Sequence, residues 1–93
     1  MGNVRKGHDI DAALRKKGFQ KDEDGDHIWY EFPGSDVRTK ISHGMLGKDI
    51  GRELLGKMAE QAHLKFPQFL NLVDCQLSKE DYHEILLQLG FIS

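Results

Sequence analysis

Apolar positions recur along this chain with two periods, and the switches between them divide it into elements. Ile10, Ala13 and Leu14 stand at helical spacing behind Asp9, a residue able to accept from the free amides of a first turn. Arg15, Lys16 and Lys17 fill a last turn and Gly18 provides the stop, so the pattern predicts a helix over about 9–17. Phe19 opens a short extended piece. Asp22-Glu23-Asp24-Gly25-Asp26 is a polar turn with an Asp-Gly step, a hairpin signal. The period then falls to two. Across His27-Ile28-Trp29-Tyr30-Glu31-Phe32, Ile28, Tyr30 and Phe32 share one face and His27, Trp29 and Glu31 the other. After the turn Pro33-Gly34-Ser35-Asp36, residues 37–42 alternate again, Val37, Thr39 and Ile41 against Arg38, Lys40 and Ser42.

The two alternations specify one register. With the turn at 33–36, Phe32 lies opposite Val37, Tyr30 opposite Thr39 and Ile28 opposite Ile41, all on a core face. The outer face then pairs Glu31 with Arg38, Trp29 with Lys40 and His27 with Ser42. A slip of one residue would put the apolar set into water. His43 ends the third strand in phase with the apolar residues, a position that predicts partial burial.

Helical spacing returns after Gly44. Ile50, Leu54, Leu55, Met58, Ala59 and Ala62 form an apolar stripe, predicting a second helix over about 48–63, weakened by Gly51 and Gly56. Pro67 suits a first helical turn ahead of Phe69, Leu70, Leu72 and Val73. Ser78-Lys79-Glu80-Asp81 resembles a capping box with Asp in place of Glu. Leu77 and Tyr82 stand at hydrophobic-staple positions, Ile85, Leu86 and Leu89 continue the stripe, and Gly90 stops it. The expected fold class is α+β: a three-stranded antiparallel sheet with helices on one side and C-terminal helices beyond it.

Composition narrows the classes. The 93 residues are 39% hydrophobic and 30% charged, enough apolar material for the core of one small domain. No apolar run approaches the roughly 18–20 residues that span a bilayer, no signal peptide is expected, and Lys6 stands where a myristoylation signal wants Ser or Thr. Cys75 is the single cysteine, read as a small apolar residue of the tail. It excludes an intramolecular disulfide or a cysteine-based zinc site and makes reducing cytoplasm the expected compartment. Net charge is −2, unevenly spread. Residues 1–21 carry six basic and two acidic side chains, and residues 22–36 carry six acidic and no Lys or Arg. Residues 37–65 carry six basic and three acidic, and residues 66–93 one basic and four acidic. Two basic segments flanking an acidic loop are able to build a local positive face.

His27 is the first candidate for chemistry, because it begins a strand whose outer face is aromatic and basic. Imidazole titrates near pH ~6.5, so a histidine takes or gives a proton at cellular pH. Trp29 offers a stacking surface and Arg38 and Lys40 offer phosphate contacts. Such a set suits RNA cleavage by attack of a 2′-hydroxyl on the adjacent phosphate. His43 is a second proton-transfer group or phosphate contact, or simply a histidine at the edge of the core. Asp24, Asp26, His27 and His43 match no metal-ligand spacing, so no metal or other cofactor is expected. His8, His63 and His83 read as surface residues. The same face also suits a non-catalytic module that binds RNA or protein.

One family resemblance follows. Leu14-x-x-x-Gly18-Phe19, Gly25-x-His27-x-x-Tyr30, Val37-x-Thr39, His43 and Lys48-Asp49-Ile50 together resemble the HicA (YcfA-like) family of toxins from type II toxin–antitoxin pairs, over about residues 9–64. The resemblance implies a fold like the double-stranded-RNA-binding domain (dsRBD), α-β-β-β-α, over residues 1–64, with residues 65–93 as a helical extension. It implies a metal-independent endoribonuclease that cleaves mRNA, with His27 as catalytic residue. It implies a HicB-like antitoxin that binds and masks that histidine, with no membrane partner and no direct contact to DNA. The sequence departs from the family pattern at Asp26, where Ser or Thr is usual, and in the acidic run before it.

Overall fold

The computed structural model describes residues 4–92; the Met1-Gly2 start lies outside them. The chain runs β1 (Arg5–Lys6), α1 (Gly7–Lys16), β2 (Gln20–Asp22), β3 (His27–Glu31) and β4 (Arg38–Ser42). A 3-10 turn (His43–Met45), β5 (Asp49–Ile50), α2 (Arg52–Gln61), α3 (Phe66–Val73) and α4 (Lys79–Leu89) follow. This is an α+β fold whose antiparallel sheet has the order β2-β3-β4.

The β3/β4 pairing has the register that the alternation dictates: His27 faces Ser42, Ile28 Ile41, Trp29 Lys40, Tyr30 Thr39 and Glu31 Arg38. Phe32 N–H donates to the Val37 carbonyl at 2.9 Å, closing the hairpin. Ile28, Tyr30, Phe32, Val37, Thr39 and Ile41 are all buried. β2 adds the third strand, with Lys21 opposite Tyr30. The inward face of this sheet shares one apolar core with Ile10 and Leu14 of α1, Leu55 and Met58 of α2, Phe69 and Leu72 of α3 and Leu86 of α4. Tyr82 of α4 packs with Phe19 and Phe32 at centroid distances of 5.6 and 5.1 Å, and its hydroxyl donates to the Ala62 carbonyl at 2.8 Å. The C-terminal segment thus completes the same core.

Two element boundaries differ from the sequence expectation, for one reason. Asp49–Ile50 is not the start of a helix but a short strand, pairing with Arg5–Lys6. α2 begins only at Arg52, because Gly51 is extended (φ −87°, ψ 179°). At the other end α1 starts at Gly7, and Asp9 lies in its first turn rather than capping it. The Gly7 amide is satisfied by the Lys48 carbonyl at 2.8 Å, so the strand pair does the work expected of a side-chain cap. Ile50 is buried as its apolar character requires, but from a strand. α2 ends where His63 adopts φ 60° and Leu64 N–H reaches back to the Ala59 carbonyl at 2.9 Å. Further on, Ser78 caps α4 by accepting from Asp81 N–H at 3.0 Å, and Gly90 (φ 88°) ends it. Cys75 is exposed, not apolar filling, and sits at φ 65°. Among the described residues no helix is long and apolar enough to cross a membrane.

Among the described residues, one carboxylate is buried within this apolar assembly. The Asp11 carboxylate accepts the Tyr30 hydroxyl at 2.6 Å, pairs with Lys21 Nζ at 2.9 Å and is forked by Arg15 at 3.1 and 2.9 Å. Burial pushes the carboxyl up, but the Tyr30 hydroxyl, Lys21 and Arg15 outweigh it and hold the group below its ordinary range. Burial and the carboxylate together push the Tyr30 hydroxyl well above its ordinary value.

A folded-state pKa below the unfolded one contributes stability that is present above the ordinary carboxylate range and is lost as pH falls through the folded value. Urea unfolding from pH 7 downward is therefore expected to show an acid-sensitive component that Asp11→Asn removes. Asp11→Ala, which strands Tyr30 and Lys21, is expected to cost about 3–5 kcal/mol at pH 7. Two glycines make a second test. A Cβ at Gly7 would overlap the carbonyl oxygens of Met45 and Leu46, while one at Gly56 meets nothing. Thermal unfolding should show Gly7→Ala destabilised by about 1–3 kcal/mol and Gly56→Ala stabilised by about 1 kcal/mol.

Candidate functional site

Because the core face of β3 and β4 is fixed, their other face is fixed too. It carries His27, Trp29 and Glu31 beside Ser42, Lys40 and Arg38. Trp29 is half-buried under its neighbours: Arg38 Cζ lies 4.4 Å and Lys40 Nζ 5.0 Å from the ring centroid. Cation–π attraction of about 0.5–1 kcal/mol at such exposed sites holds both charges on the indole. Arg38 also leans toward Glu31 at 3.8 Å, an exposed pair of little energetic weight. Trp29 is thus first a platform for two cations; a base stacking on it would share the ring with them.

His27 is half-buried at the start of β3, and neither ring nitrogen has a hydrogen-bond partner among the described residues. It opens on a cleft of about 260 Å³ between the β4 side of the sheet and α2. Lys40 and Ser42 line it from the sheet, and Lys57 and Gln61 from α2. The helix spacing of four places Lys57 and Gln61 on one face of α2, one turn apart. Sequence reasoning missed both, because their polar positions on an amphipathic helix read simply as its solvated side.

His43 differs from its expected placing. It is exposed, not partly buried, and belongs to the 3-10 turn rather than the end of the strand. Its Nε2 meets the Gly25 carbonyl at 2.9 Å. With Nε2 protonated, the imidazole donates and ties the acidic turn to the end of β4. His43 does not line the cleft. Residues 22–26 are all exposed, with Asp24 N–H bonded to Asp22 Oδ1 at 3.0 Å, and none of their carboxylates lines the cleft either.

The positive charge at the site comes from the second basic segment. Arg15 and Lys21 of the first are engaged by Asp11, and Arg5 by Asp74 at 2.7 Å, the mutual bond and attraction holding that carboxyl below its usual range. Arg38, Lys40 and Lys57 remain gathered around Trp29 and the cleft. Among the described residues no three His, Cys, Asp or Glu side chains converge as a metal site. His8, His63 and His83 are exposed.

An unpartnered imidazole beside two ammonium groups, over an apolar floor, is chemically suited to move a proton near a phosphate. Compared with protein-family models, curated proteins and solved structures, the chain matches none.

His43→Ala is expected to cost no more than about 1 kcal/mol, one exposed hydrogen bond. NMR relaxation should then show residues 23–26 newly mobile while β3 stays rigid. An unchanged turn would mean that the His43–Gly25 bond does not hold it.

Proposed function

We propose that this chain is a HicA-like, metal-independent endoribonuclease that cleaves mRNA, with His27 as its proton-transfer residue. The observation that carries the reading is the unpartnered His27 imidazole in a cleft flanked by Lys40 and Lys57, next to the Arg38 and Lys40 charges on Trp29. The order α1-β2-β3-β4, followed after the 3-10 turn and the short β5 by α2, supports a dsRBD-like core for residues 1–64, with the helices of 65–93 as an extension.

In the proposed reaction neutral His27 takes the proton of a ribose 2′-hydroxyl. The 2′-oxygen forms its bond to phosphorus as the bond to the 5′-oxygen breaks, and that oxygen leaves with a proton from solvent. Arg38 and Lys40 neutralise the charge that builds on the phosphoryl oxygens. The products are a 2′,3′-cyclic phosphate and a 5′-hydroxyl. Partner polypeptide covering this face, as a HicB-like antitoxin would, hides both His27 and the cations.

A second reading is favoured by the Trp29 platform, whose two cations act without any proton transfer: a non-catalytic RNA-binding module. One experiment separates the two. The protein is incubated with a long single-stranded RNA in EDTA, beside His27→Ala. The proposal expects cleavage to cyclic-phosphate ends by the parent and a loss of about 10²–10⁴-fold in the variant, the usual contribution of a general base. Folding should be nearly unaffected, since the side chain makes no hydrogen bond among the described residues. Equal cleavage by both proteins contradicts the role of His27. Salt-sensitive binding with no cleavage by either supports the binding module.

A further inference from the structure

The rim of the cleft beside His27 holds more donors than acceptors: Ser42 and His27 can accept, while Lys40, Lys57 and Gln61 donate into it. Ile41, Met45 and Leu54 give the cleft an apolar floor. Lys40 and Lys57 bring two ammonium groups. Gln61 brings a third donor, through an amide whose orientation is set from behind. Its Oε1 accepts the hydroxyl of Thr39 at 2.6 Å, and Thr39 is fully buried. Gln61 Nε2 has no partner among the described residues and is left to the cleft. Among the described residues no Asp or Glu lines it.

A flat ring fits an apolar floor, and a donor rim calls for acceptors on the ring's edge. Uracil and guanine present a carbonyl oxygen where cytosine and adenine present an amino group. An amino group directed at Gln61 Nε2 would set donor against donor and leave both without a partner. The volume of about 260 Å³ lies below the ~300–1,000 Å³ of drug-sized pockets, the scale of a single base. We propose that the cleft is a base-recognition subsite selecting a keto base, uracil or guanine, with Gln61 as the specificity-determining residue. The inference rests on reading this face as RNA-binding and is independent of catalysis by His27.

The test titrates the isotope-labelled protein with UMP, GMP, CMP and AMP, which share one phosphate and differ in the base. Amide shifts are expected over residues 41–45 and 57–61. UMP and GMP are expected to bind about three- to tenfold more tightly than CMP and AMP, the equivalent of one net hydrogen bond. Gln61→Glu keeps an acceptor for Thr39 and turns the cleft-facing donor into an acceptor, so it should abolish or reverse the preference. Gln61→Met, with neither group, should abolish it without reversal. Equal affinity for all four nucleotides, a preference unmoved by Gln61→Glu, shifts confined to other surfaces, or no binding by any of the four overturns the subsite. Cleavage of RNA in EDTA by a protein without the keto preference removes the subsite alone. A keto preference in a protein that does not cleave removes the catalytic reading alone.

Discussion

The buried Asp11 carboxylate is the constraint on which the arrangement turns. A charge out of water is tolerated only when partners surround it. Asp11 draws one partner from each of three elements: Tyr30 of β3, Lys21 of β2 and Arg15 of α1 itself. Those contacts seat α1 against the sheet at one position. With α1 seated, the inward face of β3 is settled and so is the outward one. The network also engages two cations of the basic N-terminal segment, Lys21 partly buried and Arg15 at the surface. The cations around Trp29 and the cleft are Arg38 and Lys40 of β4 and Lys57 of α2.

The site is a consequence of that division. β3 and β4 pair in the single register that buries Ile28, Tyr30, Thr39 and Ile41, and the same register sets Trp29 against Lys40 and His27 against Ser42. Trp29 then gathers two cations, while α2 closes one side of a cleft and adds Lys57 and Gln61. His43 takes a supporting part, tying the acidic turn at Gly25 clear of the cleft. The acidic run and the cationic site therefore coexist in one small domain, because the carboxylates of 22–26 stay at the surface.

The hairpin was legible in the sequence residue by residue, since two alternating runs around a Pro-Gly turn admit one register with a dry face. The caps at Ser78 and Gly90 were legible for a similar reason, as local chemistry at fixed spacing. The β1/β5 pair was not. Two residues carry no period, and the partner of Asp49-Ile50 lies more than forty positions away. Asp11 was missed because a carboxylate on a helix reads as solvated until a tyrosine from a distant strand meets it. His43 was misplaced because its phase fitted β4, while a 3-10 turn had already taken the chain off the strand. Alternation alone put His27, Trp29, Arg38 and Lys40 on one face of the sheet; that Lys57 and Gln61 meet its edge needed the packing of α2.

On the proposed function, RNA lies across the outer face of β3 and β4 and into the cleft under α2. The most direct measurement is an NMR titration with a single-stranded RNA whose 2′-hydroxyls are methylated, so that it binds without being cut. Shifts are expected to concentrate at His27, Trp29, Arg38, Lys40, Lys57 and Gln61, with an affinity that weakens as salt rises. Shifts confined to α3 and α4, or no binding at low salt, would contradict this placement of the RNA.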